Sequence, residues 1–455
     1  MNFLNQRTRH SEPSGAADTQ LPVEKVAAPW RTPGLRLPHH RSTTAHLASL
    51  YPCQANDGLG ARGVLMGIDL ESGGSTFHYD PFEMYARRII TSPNILILGL
   101  VGSGKSTVVK TLLYRSIGIL SSPSGQPRFA AIADPKGEYG PLADALGLAR
   151  LSLKPGGATR LNPLDPGPRH GTLEQLATRR THMIAALTAG VLDRALRPVE
   201  DAAISWAIDE LTATWTDKPT LADVCRFLAN PTGTMIARSG IGGVQLIDEI
   251  RDARYALQKL LERDLAGMFD GQSTETINWQ GRGIVIDTSA VNNTAAQPLV
   301  MIAATAWLQQ LLAVPESETV PRRYQVLEEI WSLLGNPHVA RYYQASQKLS
   351  RTYGVCNIAV AHRLEDLRAQ ADDGTAAAKI GAGIIADTQT QILFHLPPAQ
   401  AAEAQQLLGL SNGATQQLTT LQKGEALWKI GDHLTRVYHL RSTTEQAICD
   451  TDQNI

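Results

Sequence analysis

Beyond about residue 60, short apolar runs alternate with longer segments of helical period. The runs "NILILG" (94–99), "RFAAIAD" (128–134), "ARLSLKPGG" (149–157), "GIVIDTS" (283–289), "YQVLEE" (324–329), "CNIAVAH" (356–362) and "TQILFHL" (390–396) read as buried strands closed by turn residues. Between them, "KSTVVKTLLYRSIGIL" (105–120), "GPLADALG" (140–147), "PLVMIAATAWLQQLLA" (298–313), "RYYQASQKLSRTYG" (341–354) and "PAQAAEAQQLLG" (398–409) read as helices. Strands alternating with helices predict an α/β fold with a doubly wound, mainly parallel sheet. The late run "EALWKIGDHLTRVYHL" (425–440) alternates about Gly431-Asp432. That is a hairpin signal, and it predicts antiparallel strands at one edge of the sheet.

The middle of the chain breaks this rhythm. "TLEQLATRRTHMIAALTAGVL", "PVEDAAISWAIDELTATW", "TLADVCRFLA" and "IDEIRDARYALQKLLERDLAGMF" have helical periodicity and few β-branched clusters. They predict an all-helical insertion over 169–272, whose charges read mostly as solvated helix faces. The Pro/Gly-rich "LNPLDPGPRHG" (161–171) leads into it. The insertion divides an α/β domain into a first half, 46–168, and a second, 273–445. Residues 446–455 read as a tail. Residues 1–45, rich in Pro, Ser, Thr, Arg and His, read as a flexible, weakly basic arm, either a partner-docking segment or a plain disordered terminus.

Composition narrows the class. The chain of 455 residues is 43% hydrophobic and 19% charged, as in soluble globular proteins. A net charge of -1 gives no global field for nucleic acid, although the first 49 residues hold six cations against three anions. The four cysteines, Cys53, Cys225, Cys356 and Cys449, are far apart, so no zinc or redox pair is visible. Isolated thiols fit a reducing cytoplasm. No apolar run reaches the roughly 18 residues of a spanning helix, so membrane association is expected only through a partner.

The strongest chemical signal is "GLVGSGKST" (99–107), which fits G-x-x-x-x-G-K-[ST] through Gly99, Gly104, Lys105 and Ser106. A strand precedes it and a helix follows, as a phosphate loop requires. Gly102 and Gly104 let backbone N–H groups turn toward a phosphate, with Ser103 between them. The helix start, with Ser106 and Thr107, adds positive potential. Lys105 can reach the terminal phosphates and the Ser106 hydroxyl can ligate Mg²⁺, so ATP and Mg²⁺ are the expected ligands. Such a cradle needs a metal-side carboxylate and a group that orients water. "VLEEIW" supplies both at a strand end. Glu328 is expected at the metal through its water shell, and Glu329 at the attacking water. The commoner form of this motif has Asp then Glu, and Glu328 is one methylene longer.

Together "GLVGSGKST", "DPKGEYG", "VLEEIWSLLG" and "TTLQKGEALWKIG" resemble the HerA/FtsK branch of RecA-like P-loop ATPases, and within it the ATPases of conjugative type IV secretion. The resemblance runs over about residues 60 to 445. It implies a homo-hexameric motor that couples ATP hydrolysis to moving DNA or protein. It also implies a cytoplasmic site at the inner face of the membrane, held there by inner-membrane secretion-channel proteins. His362, where relatives usually place Gln, is implied as a γ-phosphate sensor or is a plain capping residue. Arg351 is implied as an arginine finger reaching a neighbour's nucleotide, with Arg441 as the alternative to it. Asp134, Lys136 and Glu138 follow a strand near the phosphate loop. Ligands gather at such strand ends. Asp134 is expected to orient metal-bound water, with Glu138 beside the nucleotide. Lys136 or Glu138 is expected to pair across a subunit boundary, unless the stretch is a solvated turn.

Three functions fit these residues. The first is an ATPase that energises conjugative secretion. The second is a soluble DNA translocase of the same branch, against which no basic stripe with interleaved aromatics is visible. The third is a nucleotide-binding structural subunit with little turnover, suggested by the departures at Glu328 and His362.

Overall fold

The computed structural model describes residues 58–121, 126–165, 172–214, 218–262, 265–274, 281–291, 297–312, 321–330, 337–361 and 383–451. The N-terminal arm and His362 lie outside them.

The described residues build one sheet of 11 strands. They are β1 (Val64–Asp69), β2 (Ser75–Tyr79), β3 (Ile95–Leu98), β4 (Arg128–Asp134), β5 (Ala149–Ser152), β6 (Gly283–Asp287), β7 (Arg322–Leu327), β8 (Val355–Ala361), β9 (Thr390–Leu393), β10 (Glu425–Ile430) and β11 (His433–His439). Their spatial order is β2-β1-β11-β10-β9-β3-β8-β7-β4-β6-β5. The seven strands from β9 to β5 run parallel, and the pairs from β9 to β2 are antiparallel. The sheet is therefore mainly parallel and doubly wound, as the alternating pattern predicts.

The turn at Gly431-Asp432 does join β10 to β11, but this hairpin does not end the sheet as expected. β1 and β2 pair outside it. Their signal in the sequence is modest: alternating Val64, Met66 and Ile68, then Gly73-Gly74 before Phe77 and Tyr79.

Both faces of the parallel strands are covered, so strand residues are buried on alternate sides. Phe129, Ala131 and Ala133 of β4 join one apolar cluster, and Ala130 and Ile132 the other. Short helix α1 (Pro81–Ala86) precedes β3. The second cluster is covered by α2 (Lys105–Leu120) through Val108, Val109, Leu112 and Leu113, and by α3 (Gly140–Leu146).

Among the described residues six α-helices lie between β5 and β6: α4 (Leu173–Leu192), α5 (Pro198–Thr214), α6 (Leu221–Ala229), α7 (Gly233–Ser239), α8 (Gly243–Glu249) and α9 (Arg251–Lys259). Their apolar faces join the first cluster, with Met183, Ile204, Ile208, Leu221 and Leu257 buried. One charge group here is not a solvated face. Glu200 is fully buried and accepts from Arg194 at 2.8 and 2.9 Å and from Arg197 at 3.1 Å. These hydrogen bonds outweigh burial and hold the Glu200 carboxyl down to about 2.

The chain continues through α10 (Gln297–Leu312), α11 (Pro337–Tyr353), α12 (Pro398–Leu408), α13 (Asn412–Leu418) and α14 (Thr443–Cys449). The last of these occupies the start of the expected tail. A Ser442–Glu445 capping box opens it, and Glu445 forms a buried ion pair with Arg115 of α2, Nη2 to Oε2 2.7 Å. Among the described residues no helix is long and apolar enough to cross a membrane.

Candidate nucleotide site

The parallel strands all point their carboxyl ends to one edge, so the loops after β3, β4, β6 and β7 gather there. The loop after β3 turns through Gly102 (φ 75°) and Gly104 (φ 107°), conformations glycine adopts without a steric cost. α2 begins at Lys105, so its first N–H groups are unpaired within the helix and face this loop. Ser106 and Thr107 are half-buried there. Phe394, following β9, walls the other side: a Cβ on Gly104 would stand 3.4 Å from its ring.

Lys105 is buried, and its ammonium donates to the carbonyls of Gly99 and Leu100, both at 2.7 Å. Burial lowers its pKa to about 8, against the pull of Glu328, Glu329 and Glu138; Lys136 pushes the same way as burial. Lys105 thus shares one electrostatic neighbourhood with all three carboxylates.

Glu328 and Glu329 stand just past β7, both buried. The Tyr139 hydroxyl donates to Glu328 Oε1 at 2.5 Å. Burial still raises the Glu328 carboxyl above its ordinary range. Glu329 has φ 54°, a left-handed conformation that few non-glycine residues adopt. The Ile330 N–H donates to Val360 O at 3.2 Å and fixes the turn after it. The Glu329 carboxylate meets the Lys136 ammonium at 2.7 Å.

The stretch after β4 does something other than expected. Asp134 is almost wholly buried, and its Oδ1 accepts the N–H groups of Lys136, Gly137 and Glu138 at 2.8–3.2 Å, while Oδ2 accepts that of Tyr139 at 2.9 Å. Both carboxylate oxygens are engaged by the N–H groups of its own loop. Lys136 and Glu138 both have partners within this chain. Lys136 pairs with Glu329, and Glu138 with the buried Lys110 of α2 at 3.9 Å. The Lys110 ammonium also lies 5.4 Å from the centre of the Tyr139 ring. Tyr139 and Lys110 were missed in the sequence. Tyr139 stands inside the quoted "DPKGEYG", but nothing local says that its hydroxyl turns to a strand end 189 positions away.

Arg351 is not brought to this site. It ends α11, just before β8 begins, and donates to Thr91 O at 3.4 Å ahead of β3. That is the opposite edge of the sheet, one strand length away. Arg441 is exposed beyond β11.

Residues 88–304 match the family model described as "Helicase HerA, central domain". This span takes in the phosphate loop, the Asp134 loop and the six-helix insertion. Two solved structures share the architecture. VirB4 of Thermoanaerobacter pseudethanolicus is 18% identical with a TM-score of 0.65, covering 86% of this chain and 100% of its own. Plasmid coupling protein TrwB in complex with the ATP analogue ADPNP is 14% identical with a TM-score of 0.53, covering 87% and 92%. The chain shares the fold of these two proteins, a mainly parallel sheet covered by helices on both faces. No curated protein matches the chain in sequence. At this strand edge the oxygen donors fit Mg²⁺: the Ser106 hydroxyl at the helix start and the buried Glu328 carboxylate are hard ligands, and such ions keep phosphate and water in their other positions.

Proposed function

We propose that the chain is a Mg²⁺-dependent ATPase motor that energises conjugative type IV secretion, working as a homo-hexamer with each site at a subunit boundary. The observation that carries this reading is the convergence of Lys105, Glu328 and Glu329 at one strand edge. The likeness to VirB4, and to a TrwB that takes ADPNP, supports it.

The α2 N-terminus and the loop amides would bind the β- and γ-phosphates. Lys105 would leave its two carbonyls for the γ-phosphate. Ser106 and Glu328 would hold Mg²⁺, which neutralises charge on the phosphate oxygens when bound. Glu329 would accept the proton of the attacking water while the bond from the γ-phosphorus to the β-bridging oxygen breaks. Tyr139 fixes Glu328, and Asp134 fixes Tyr139. Arg351, far from its own loop, could act only on a neighbour's nucleotide. Docking to inner-membrane channel proteins would place the motor at the inner face of the cell membrane.

The match to a helicase central domain favours a second reading, a soluble DNA translocase. ATP turnover of the purified full chain, with and without duplex or single-stranded DNA, separates the two. Turnover that DNA leaves unchanged at low salt supports the secretion motor, and strong salt-sensitive stimulation supports the translocase. Turnover that survives Lys105→Ala would remove the site from both.

A further inference from the structure

We infer that Lys136 is a specificity-determining residue that senses the terminal phosphate of a nucleoside triphosphate, leaving Glu329 for that phosphate and so freeing the carboxylate to act. This rests on the nucleotide reading of the site.

The first observation is the ion pair itself, Lys136 Nζ to Glu329 Oε1 at 2.7 Å. A carboxylate held by an ammonium is a weaker base than a free one. The residue best placed to accept water's proton is therefore restrained. Its left-handed backbone, φ 54°, shows how closely the surroundings dictate its position.

The second is the contrast between the fixed base of Lys136 and its reach. Strands β4 and β7 are neighbours, so the two loops leave the sheet side by side. The Lys136 backbone is pinned, because Asp134 accepts its N–H and the next three. Gly137 packs so closely on Ser289 that a Cβ there would stand 3.2 Å from its Oγ. Only the four-carbon side chain is left to move, and it is one-third exposed while Glu329 is buried. The amine can swing at the rim without moving the loop.

The third is the second cation. Lys136 and Lys105 lie within each other's field, and both lie within that of Glu328, Glu329 and Glu138. The two ammoniums repel each other, and the three carboxylates hold both at this rim. Lys105 alone can serve a β-phosphate. A γ-phosphate adds the charge that would draw Lys136 away from the Glu329 carboxylate, so a diphosphate would leave the pair closed.

The test is binding of the non-hydrolysable triphosphate AMPPNP and of ADP, with Mg²⁺, to the full chain. Lys136→Met should weaken AMPPNP by about tenfold, leave ADP unchanged and be rescued at least partly by Lys136→Arg. Glu329→Gln, which releases Lys136 from its partner, should tighten AMPPNP a few-fold and leave ADP unchanged. Equal effects on both nucleotides, or no effect of either variant, would overturn the inference. Lys105→Ala is the separate check on the site. If it binds both nucleotides as the wild type does, the phosphate-loop reading fails whatever Lys136 does.

Discussion

The two edges of the central sheet treat buried charge differently. Where the parallel strands begin, the buried charge of Arg128 is matched. Arg128, the first residue of β4, pairs with Asp80 and donates to the Tyr324 hydroxyl. Asp80 also caps α1 through the Phe82 N–H at 2.9 Å. These contacts raise the Arg128 guanidinium above its ordinary range despite burial. Where the strands end, matching is poorer. Lys105 is held down to about 8, Glu328 is raised, and Glu329 sits in a left-handed conformation. One edge is arranged for the fold alone. The other holds charge in states that a polyphosphate and a metal would relieve, as perturbed groups at functional sites do.

The contrast can be broken by substitution. The largest effect is expected at Lys105. Lys105→Ala should lower ATP turnover by ~10²–10³-fold without lowering stability. The sign follows from linkage. Because the folded pKa of about 8 lies below the unfolded value, the unfolded chain binds the extra proton between the two, and below the lower one the ammonium is a full liability to the fold. Urea unfolding at pH 7 checks this. Arg128→Ala should do the reverse. It strands Asp80 and should cost about 3–5 kcal/mol of stability while ATP affinity stays within a few-fold.

The smallest effect is expected at His439, which lies 5.9 Å from Phe394, the wall of the phosphate loop. Its Nε2 accepts from Trp428 Nε1 at 3.0 Å, and burial holds the imidazole down to about 3. Because the folded value is depressed, stability should decline as pH falls from about 6.5 toward 3. His439→Gln keeps an acceptor for Trp428 and should flatten that part of the decline, read from urea midpoints at pH 7 and pH 5.

Much of this was legible in the sequence, for physical reasons. The central parallel strands declare themselves because they are buried on both faces and carry short apolar runs, as "RFAAIAD" does. The phosphate loop declares itself because its backbone turns demand glycines at fixed spacing. Glu328 and Glu329 could be placed because a strand ends just before them. β1 and β2 were not legible: each is only partly buried, and their apolar residues are interrupted by Gly67, Glu71 and Ser72. The task of Asp134 was hidden too. A strand-end carboxylate looks the same whether it faces a metal or its own backbone. The Tyr139–Glu328 and Arg115–Glu445 contacts join segments 189 and 330 residues apart, and no local pattern records such pairings.

The central claim is that hydrolysis depends on the carboxylate of Glu329 at a site where Lys105 holds the phosphates. Single-turnover hydrolysis of pre-bound Mg-ATP by wild type and Glu329→Gln tests it most directly. The account predicts that the variant binds ATP at least as tightly as wild type and cleaves it ~10²–10⁴-fold more slowly. Cleavage of bound ATP at the wild-type rate would contradict it.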